Sequence, residues 1–225
     1  PPGKTDSSYT IPSSVTSIGE KAFSYWISLM NIEIPYGVIN ISDSAFSNCT
    51  NLKDLTIPNS VVNIGKSSFE QCSNLNSILI SEHLKNIDDY AFFACERLKS
   101  ITIPDSVTSI GDSAFYWCTN LRNATILNHS YISIGSDVFE SVSDEFSISG
   151  YSNTGVERYA KNNGISFISL GEYNWLPSIP TKTTYQIKVV NDFGKTIEDF
   201  TISDNSMSIK STGGFASISF PSATS

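Results

Sequence analysis

One pattern of 23 residues recurs along most of this chain and decides what the chain can fold into. Three columns of apolar residues keep this spacing with few slips. They are Ile11, Ile34, Ile57, Ile80, Ile103 and Ile126; Phe23, Phe46, Phe69, Phe92 and Phe115, with Phe139 one residue late; and Leu29, Leu52, Leu75, Leu98 and Leu121. A fixed period of roughly 20–29 residues indicates a solenoid, in which each unit buries its apolar face by stacking on its neighbours. The columns predict about six stacked repeats between residues 9 and 148.

Each repeat contains one short strand and a tight return. In Leu52-x-x-Leu55-x-Ile57, a period of two places Leu55 and Ile57 on one face of a strand, and the proline that follows ends strand pairing. The segment before the core phenylalanine is too short for a full helix, so we expect one helical or 3-10 turn that carries the ring inward. These features predict a right-handed solenoid with one parallel sheet on its concave side. We expect short helical or 3-10 turns and loops on its convex side.

Acidic residues stand just before these turns. They are Glu20, Asp43, Asp89 and Asp112. We interpret them as favouring the N-terminus of a helical turn. A calcium site is the alternative interpretation, but no repeat supplies a clustered set of oxygen ligands.

The consensus I-x-I-P-x-x-V-x-x-I-G-x-x-A-F-x-x-C-x-x-L resembles the BspA-like class of leucine-rich repeats. That resemblance implies a secreted or cell-surface protein of bacteria or some protozoa. The segment ISGYSNTGVERYAKNNGISFISL is similar to the C-terminal cap of such proteins, and its residues agree with that role. Thr154 and Glu157 form a capping box, and Gly164 suits the position just past a helix. At the other end, Trp26 replaces the consensus cysteine, so we expect its indole to shield the open core.

The sequence predicts three parts. Residues 1–170 form the leucine-rich-repeat solenoid with its cap at 149–170, residues 171–184 form a linker, and residues 185–225 form a small antiparallel β segment. This last part resembles the carboxypeptidase-regulatory-like β-sandwich modules of bacterial surface proteins. Because the chain begins in mid-pattern, we expect it to be a fragment of a longer, processed protein.

The net charge and the composition exclude some classes of function. A net charge of −8 argues against nucleic-acid binding, which needs a basic stripe. No stretch approaches the roughly 18 apolar residues of a membrane span. Low charge with abundant serine, threonine and asparagine favours a secreted or cell-surface location. We expect a monomer without a cofactor.

All four cysteines, Cys49, Cys72, Cys95 and Cys118, occupy one column, three residues after the core phenylalanine. We predict free, buried thiols that act as small hydrophobes. Two disulfides are the alternative and require stacked Cα atoms within about 7 Å. A zinc site lacks the necessary CxxC or HxxxH pair.

No catalytic or metal-binding constellation is evident. The sequence has no G-x-S-x-G elbow, P-loop or Rossmann fingerprint. His83 and His129 occupy one turn position two repeats apart, about 10 Å at the spacing of stacked strands. That is too far to share a metal ion. We therefore predict a protein that is not an enzyme.

Two surfaces are candidates for binding. The first is the concave strand face, whose candidate residues are Glu33, Thr56, Leu79, Thr102, Thr125 and Asp54. The predicted function is a non-catalytic binding or adhesion module that recognises a protein or glycan of a host or neighbouring cell. The alternative is a structural spacer that presents other domains of a larger surface protein.

The second candidate surface lies after the core phenylalanine, where repeats four and five become aromatic. Its residues are Phe93, Tyr116 and Trp117, with Tyr90 just before. We predict one exposed apolar patch, of the kind that marks an interaction site. Three interpretations stay open: docking of an external partner, docking of the C-terminal sheet, or rings that fold over the turns and thicken the core.

Overall fold

The structure, a computed structural model, describes residues 5–173, 185–190 and 196–202. Two compact units are present, Pro1–Tyr173 and Asn174–Ser225. The first unit is a solenoid of stacked parallel strands, which confirms the predicted fold class. The predicted domain boundaries at 170/171 and 184/185 stay predictions.

One row of strands follows the predicted strand positions. Its members are β1 (Ser8–Thr10), β3 (Asn31–Glu33), β5 (Asp54–Thr56), β7 (Ser77–Leu79), β9 (Ser100–Ile103), β11 (Asn123–Ile126), β13 (Ser147–Ser152) and β14 (Ser166–Glu172). Every recorded pairing in this row is parallel, and partners up to β11 lie 23 residues apart. Within β3, β5, β7 and β9 the exposed and buried side chains alternate, as for Asp54, Leu55 and Thr56 in β5. We call the outer surface of this row the strand face.

A second row of two-residue strands was not predicted. Its members are β2 (Ser17–Ile18), β4 (Asn40–Ile41), β6 (Asn63–Ile64), β8 (Asn86–Ile87), β10 (Ser109–Ile110) and β12 (Ser133–Ile134). They form one continuous parallel sheet. Asparagine side chains join its outer surface, since Asn63 donates to Asn40 and Asn86 donates to Asn63, each at 2.8 Å. Each of these strands ends on an isoleucine, and this second isoleucine column therefore belongs to a sheet of its own: Ile18, Ile41, Ile64, Ile87, Ile110 and Ile134.

The segments before and after the core phenylalanine are not the helical or 3-10 turns that we expected. In the first repeat, Ala22, Ser24 and Trp26 each donate an N–H to the carbonyl three residues earlier, which makes three successive β-turns. The intervening residues Lys21 and Tyr25 have left-handed backbones, with φ of 54° and 58°. Their N–H groups donate along the molecular axis to carbonyls of the next repeat. Turns rather than helices form because this alternation bonds every repeat to its neighbour.

The acidic column also has a different role from the one predicted. The carboxylate of Asp89 accepts the backbone N–H of Asp112 in the next repeat at 2.9 Å, and Asp112 accepts that of Ser136 at 2.7 Å. Asp43 does the same for Lys66. These carboxylates therefore join consecutive repeats instead of capping a helix within one repeat.

Glycine is required where such an aspartate approaches. A Cβ on Gly111 would lie against the backbone nitrogen and carboxylate of Asp89, closer than real Cβ contacts allow. Gly19 fills the same place in the first repeat, and a Cβ added there would meet no atom within 4 Å. The two positions therefore differ in the room that they leave for a methyl group.

We expect Gly111→Ala to lower the free energy of unfolding by about 1–3 kcal/mol through overpacking. Gly19→Ala is the matched control and should change it by less than about 0.5 kcal/mol. Chemical denaturation of both variants measures the difference. Equal effects would contradict this packing account.

The core consists of the predicted columns. Six phenylalanine rings from Phe23 to Phe139 stack with centroids 4.9–5.5 Å apart and planes within 3–8° of parallel. Trp26 lies at the first end of this stack, fully buried, with its centroid 6.0 Å from that of Phe23. Its indole N–H donates to the carbonyl of Asp6 at 2.9 Å. This is the shielding position that the sequence predicted.

The C-terminal end carries helix α1 (Gly155–Asn162) between β13 and β14. The Thr154 hydroxyl accepts the N–H of Glu157, and the Glu157 carboxylate accepts the N–H of Asn153. Val156 and Ala160 face the core, and Gly164 has a left-handed φ of 66°. The predicted cap helix is thus present, and its Glu157 carboxylate bonds to the residue before the N-cap Thr154 instead of to the N-cap itself.

The second unit contains an antiparallel pair, β15 (Tyr185–Val190) and β16 (Thr196–Ile202). Both strands lie within the antiparallel β segment predicted at residues 185–225. The rest of that segment and most of the predicted linker lie outside the described residues.

Candidate binding surface

The two residues after each core phenylalanine form two columns on the turns. The first contains Ser24, Ser47, Glu70, Phe93, Tyr116 and Glu140, and the second contains Tyr25, Asn48, Gln71, Ala94, Trp117 and Ser141. Backbone bonds hold neighbouring repeats in step, since Gln71 N–H donates to Phe93 O at 2.7 Å and Trp117 N–H to Glu140 O at 3.1 Å. We call the surface formed by these columns, with the residue two places before each phenylalanine, the turn face.

Four predicted site residues come together on the turn face. Phe93 and Tyr116 stack with centroids 5.6 Å apart and planes 5° from parallel. Trp117 lies 6.1 Å from Phe93 and 6.2 Å from Tyr116, and Tyr90 lies 5.8 Å from Phe93. We call Tyr90, Phe93, Tyr116 and Trp117 the aromatic cluster.

The four rings differ in exposure. Trp117 is 53% exposed and Tyr90 is 37% exposed, whereas Phe93 and Tyr116 are half-buried. The sequence predicted one exposed apolar patch and left open that the rings fold over the turns. The inner two rings are partly covered because they stack on each other and on their outer neighbours, so they support the exposed rings.

The backbone at Trp117 is costly for a bulky side chain. Its φ is 62°, in the left-handed region, which costs a residue with a Cβ about 1 kcal/mol or more. Asn48, which adopts that region more readily, fills the same place in the second repeat with the same φ. The backbone conformation therefore does not favour tryptophan over asparagine at this position.

The charges around the aromatic cluster are mostly negative. The four turns at 66–71, 89–94, 112–117 and 136–141 contain one lysine and five carboxylates. The lysine, Lys66, pairs with Asp89 at 3.5 Å, and its ammonium lies 5.6 Å from the Tyr90 ring centroid. The amide and hydroxyl of Ser136 donate to Asp112 and hold the pKa of that carboxyl below its ordinary value.

Glu70 and Glu140 flank the cluster differently. They occupy the same column as Phe93 and Tyr116, one repeat before and one repeat after them. Within the described part of the chain, neither carboxylate has a recorded ion pair or hydrogen bond. Sequence reasoning missed Lys66, Glu70 and Glu140 as site residues, although the column alignment already placed the two glutamates beside the rings.

The rest of the turn face is polar. In the first three repeats it forms a groove lined by Lys21, Ser24, Tyr25, Ser44, Ser47, Asn48, Glu70 and Gln71. The hydroxyls of Ser24 and Ser47 bond to each other at 2.8 Å. The aromatic cluster therefore continues a polar groove along the same face.

The strand face holds the other predicted residues in register. Thr10 pairs with Glu33, Thr56 with Leu79, and Thr102 with Thr125. Much of its polar surface is bonded to itself. The Ser77 hydroxyl donates to Asp54 at 2.6 Å, and the Thr125 hydroxyl donates to Asn123 at 2.9 Å. Leu79, 68% exposed, is a large apolar side chain in this otherwise small and polar row.

The cysteine column is confirmed as four free, buried thiols. Each thiol donates to the carbonyl of the core phenylalanine in the preceding repeat, at 3.2–3.3 Å. Burial raises the pKa of Cys118 to about 12 and the pKa of Cys72 and Cys95 well above the usual range. The column is part of the core and offers no reactive thiolate to a binding surface.

His83 occupies a turn, as predicted, His129 lies in the loop after β11, and both contact the preceding repeat. His83 Nδ1 lies 2.9 Å from the carbonyl of Asn59, and His129 Nδ1 lies 2.6 Å from the carboxylate of Asp105. The His129 ring also stacks on Tyr173 with centroids 3.6 Å apart. Over residues 5–173 and the two described strands beyond, no group of three potential metal ligands occurs. In the same part of the chain, no helix has both the length and the apolarity to cross a membrane.

Comparison with known proteins agrees with the repeat geometry. The family model of the BspA-type leucine-rich repeat region, in six copies, matches residues 5–122 and 74–174. No curated protein matches the sequence significantly.

Two solved bacterial structures are similar. A leucine-rich repeat protein of T. pallidum is 27% identical, with a TM-score of 0.50, over 66% of this chain and 59% of its own. A leucine-rich cell surface protein of Faecalibacterium prausnitzii is 26% identical, with a TM-score of 0.52, over 72% of this chain and 51% of its own. The matches thus span between half and three fifths of those two proteins. Stacked parallel strands, the phenylalanine and cysteine columns and the matched repeats lead to one conclusion: this chain belongs to the BspA-type leucine-rich repeat family.

Proposed function

We propose that this chain is a non-catalytic protein-interaction or adhesion module of a secreted or cell-surface protein, and that it binds its partner through the turn face. Membership of the BspA-type family supports an interaction module, and the similar cell surface protein supports the location. The partner we propose is a protein or glycan of a host or neighbouring cell.

The observation that carries the proposal is the aromatic cluster. Binding energy at interfaces concentrates in tryptophan, tyrosine and arginine that become fully desolvated. Trp117 is half exposed on a support of stacked rings, at a position that is polar or small in the three preceding repeats. This supported, half-exposed ring offers apolar area that a partner can desolvate.

The strand face is the weaker candidate. Several of its hydroxyl, amide and carboxylate groups already bond to each other, as Ser77 does to Asp54. A partner must replace those bonds without gaining much apolar area. Leu79 is its strongest available anchor in the central repeats.

The test uses two substitutions that other repeats already contain. Trp117→Asn introduces the residue of the second repeat, and Leu79→Thr introduces the residue of the third and fifth repeats on the strand face. We expect both variants to keep the free energy of unfolding within about 1 kcal/mol of the wild type. The purified chain is then applied to an array of extracellular-matrix proteins and glycans. Trp117→Asn should weaken the observed binding by about 30-fold, the loss of one hot-spot side chain.

Leu79→Thr should leave that binding unchanged. Binding lost in Leu79→Thr and kept in Trp117→Asn would assign the function to the strand face instead. An array on which the wild-type chain binds nothing would favour the structural spacer.

A further inference from the structure

We propose that the partner segment recognised by the aromatic cluster is basic, with arginine or lysine side chains that contact Trp117 and the carboxylates of Glu70 and Glu140. This inference rests on the proposed function of the turn face. It adds the chemical class of the partner, a cationic segment of a protein.

The first support is the sign of the local charge. Five carboxylates and one lysine surround the aromatic cluster in the four turns that carry it or adjoin it. Complementary charge selects partners and raises association rates, so this surface disfavours acidic partners. Among the flanking carboxylates, Glu70 and Glu140 lack a recorded partner within the described residues. They are therefore available to a cation from outside.

The second support is a cation that the chain itself places on the cluster. The ammonium of Lys66 lies 5.6 Å from the Tyr90 ring centroid and 3.5 Å from the Asp89 carboxylate. One edge of the surface thus already holds an aromatic ring, a carboxylate and a cation together. Trp117, the best type of ring for such a contact, and Glu140 repeat the ring and the carboxylate at the other edge. The structure records a cation–ring contact for Tyr90 and none for Trp117 among the described residues.

The third support is the spacing of the two free carboxylates. Glu70 and Glu140 are separated by three repeats in one column, which is about 15 Å at the spacing of stacked strands. An extended peptide advances about 3.3 Å per residue. Two basic side chains about four to five residues apart therefore reach both glutamates while the segment crosses the rings.

The experiment measures binding of labelled synthetic peptides to the full chain by fluorescence anisotropy. The probe is a glycine–serine peptide with two arginines spaced to match the two glutamates. Its matched controls carry glutamate or glutamine in place of arginine, and a neutral linear oligosaccharide provides the glycan comparison. We expect binding of the arginine peptide alone. It should weaken strongly when salt rises from about 0.1 M to about 1 M, because the screening length falls from about 10 Å to about 3 Å.

Variants separate the contributions of ring and charge. The double variant with Glu70→Gln and Glu140→Gln should bind the arginine peptide about tenfold more weakly than the wild type. Trp117→Asn should bind it more weakly by at least about fivefold. The charge control is Glu82→Gln with Glu172→Gln, which removes two exposed carboxylates outside both candidate surfaces and should leave binding of the arginine peptide unchanged.

The outcomes distinguish the two proposals. Binding of the oligosaccharide or of the glutamine peptide, lost in Trp117→Asn, would overturn the basic-partner inference and leave the turn face as the binding surface. Failure of the arginine peptide to bind would also overturn the inference. Binding of the arginine peptide that is equally sensitive to both glutamate pairs would show charge attraction without a defined site and would contradict both proposals.

Discussion

Phe69→Ala is expected to lower the free energy of unfolding by about 3–5 kcal/mol, the usual cost of removing a fully buried aromatic ring. Phe69 is completely buried between Phe46 and Phe92, whose centroids lie 5.2 and 5.3 Å away. Its removal interrupts the phenylalanine stack near the middle. For a chain of this size, the midpoint of thermal unfolding should fall by about 6–20 °C.

The matched control is Tyr36→Ala, since Tyr36 is 79% exposed in a turn of the second repeat. Its midpoint should stay within error of the wild type. If the Phe69→Ala and Tyr36→Ala proteins unfold at the same midpoint temperature, the phenylalanine column does not form the core.

Trp26→Cys is expected to cost about 2–4 kcal/mol, although cysteine fills this place in the next four repeats. In those repeats the thiol donates to a phenylalanine carbonyl of the preceding repeat. The described residues contain no preceding repeat that would offer the new thiol such an acceptor. The substitution also removes the indole that covers Phe23 and bonds to Asp6.

Hydrogen exchange followed by mass spectrometry locates that loss. Because a solenoid repeat contacts only its neighbours, amides of β1 and β2 should exchange faster in Trp26→Cys, and amides of β9 and β11 should not. Trp26→Phe is the control, since it keeps a ring over Phe23 and should recover most of the protection. Faster exchange spread evenly over all repeats would contradict a local role for Trp26.

The sequence was sufficient for features that repeat over many residues. The isoleucine, phenylalanine and leucine columns predicted the parallel stacking because like residues must meet like residues every 23 positions. The cap was also predictable, since Thr154 and Glu157 interact over a few residues.

Features that depend on contacts between repeats were not predictable. The second sheet has strands of two residues, such as β4, which are too short to show a period of two. The left-handed turns occupy non-glycine positions such as Lys21 and Tyr25, where sequence alone gives no signal. Asp89 and Asp112 resemble helix N-cap residues, and only the stacked structure shows that they accept N–H groups from the next repeat.

The candidate surface was also predictable only in part. Column alignment alone brought Phe93, Tyr116 and Trp117 together. It gave no account of their unequal exposure, because that depends on how the rings tilt against each other. The position of Lys66 over Tyr90 likewise depends on side-chain conformation.

The most direct test of the turn-face account is nuclear magnetic resonance of the isotope-labelled chain during titration with the arginine peptide. The chain has three tryptophans, and the spectrum of Trp117→Asn identifies the indole signal of Trp117 by its loss. The account predicts that this signal shifts progressively with added peptide, whereas the methyl signals of Leu79 and the indole signal of buried Trp26 do not move. A shift of the Leu79 methyl signals with an unchanged Trp117 indole signal would contradict it.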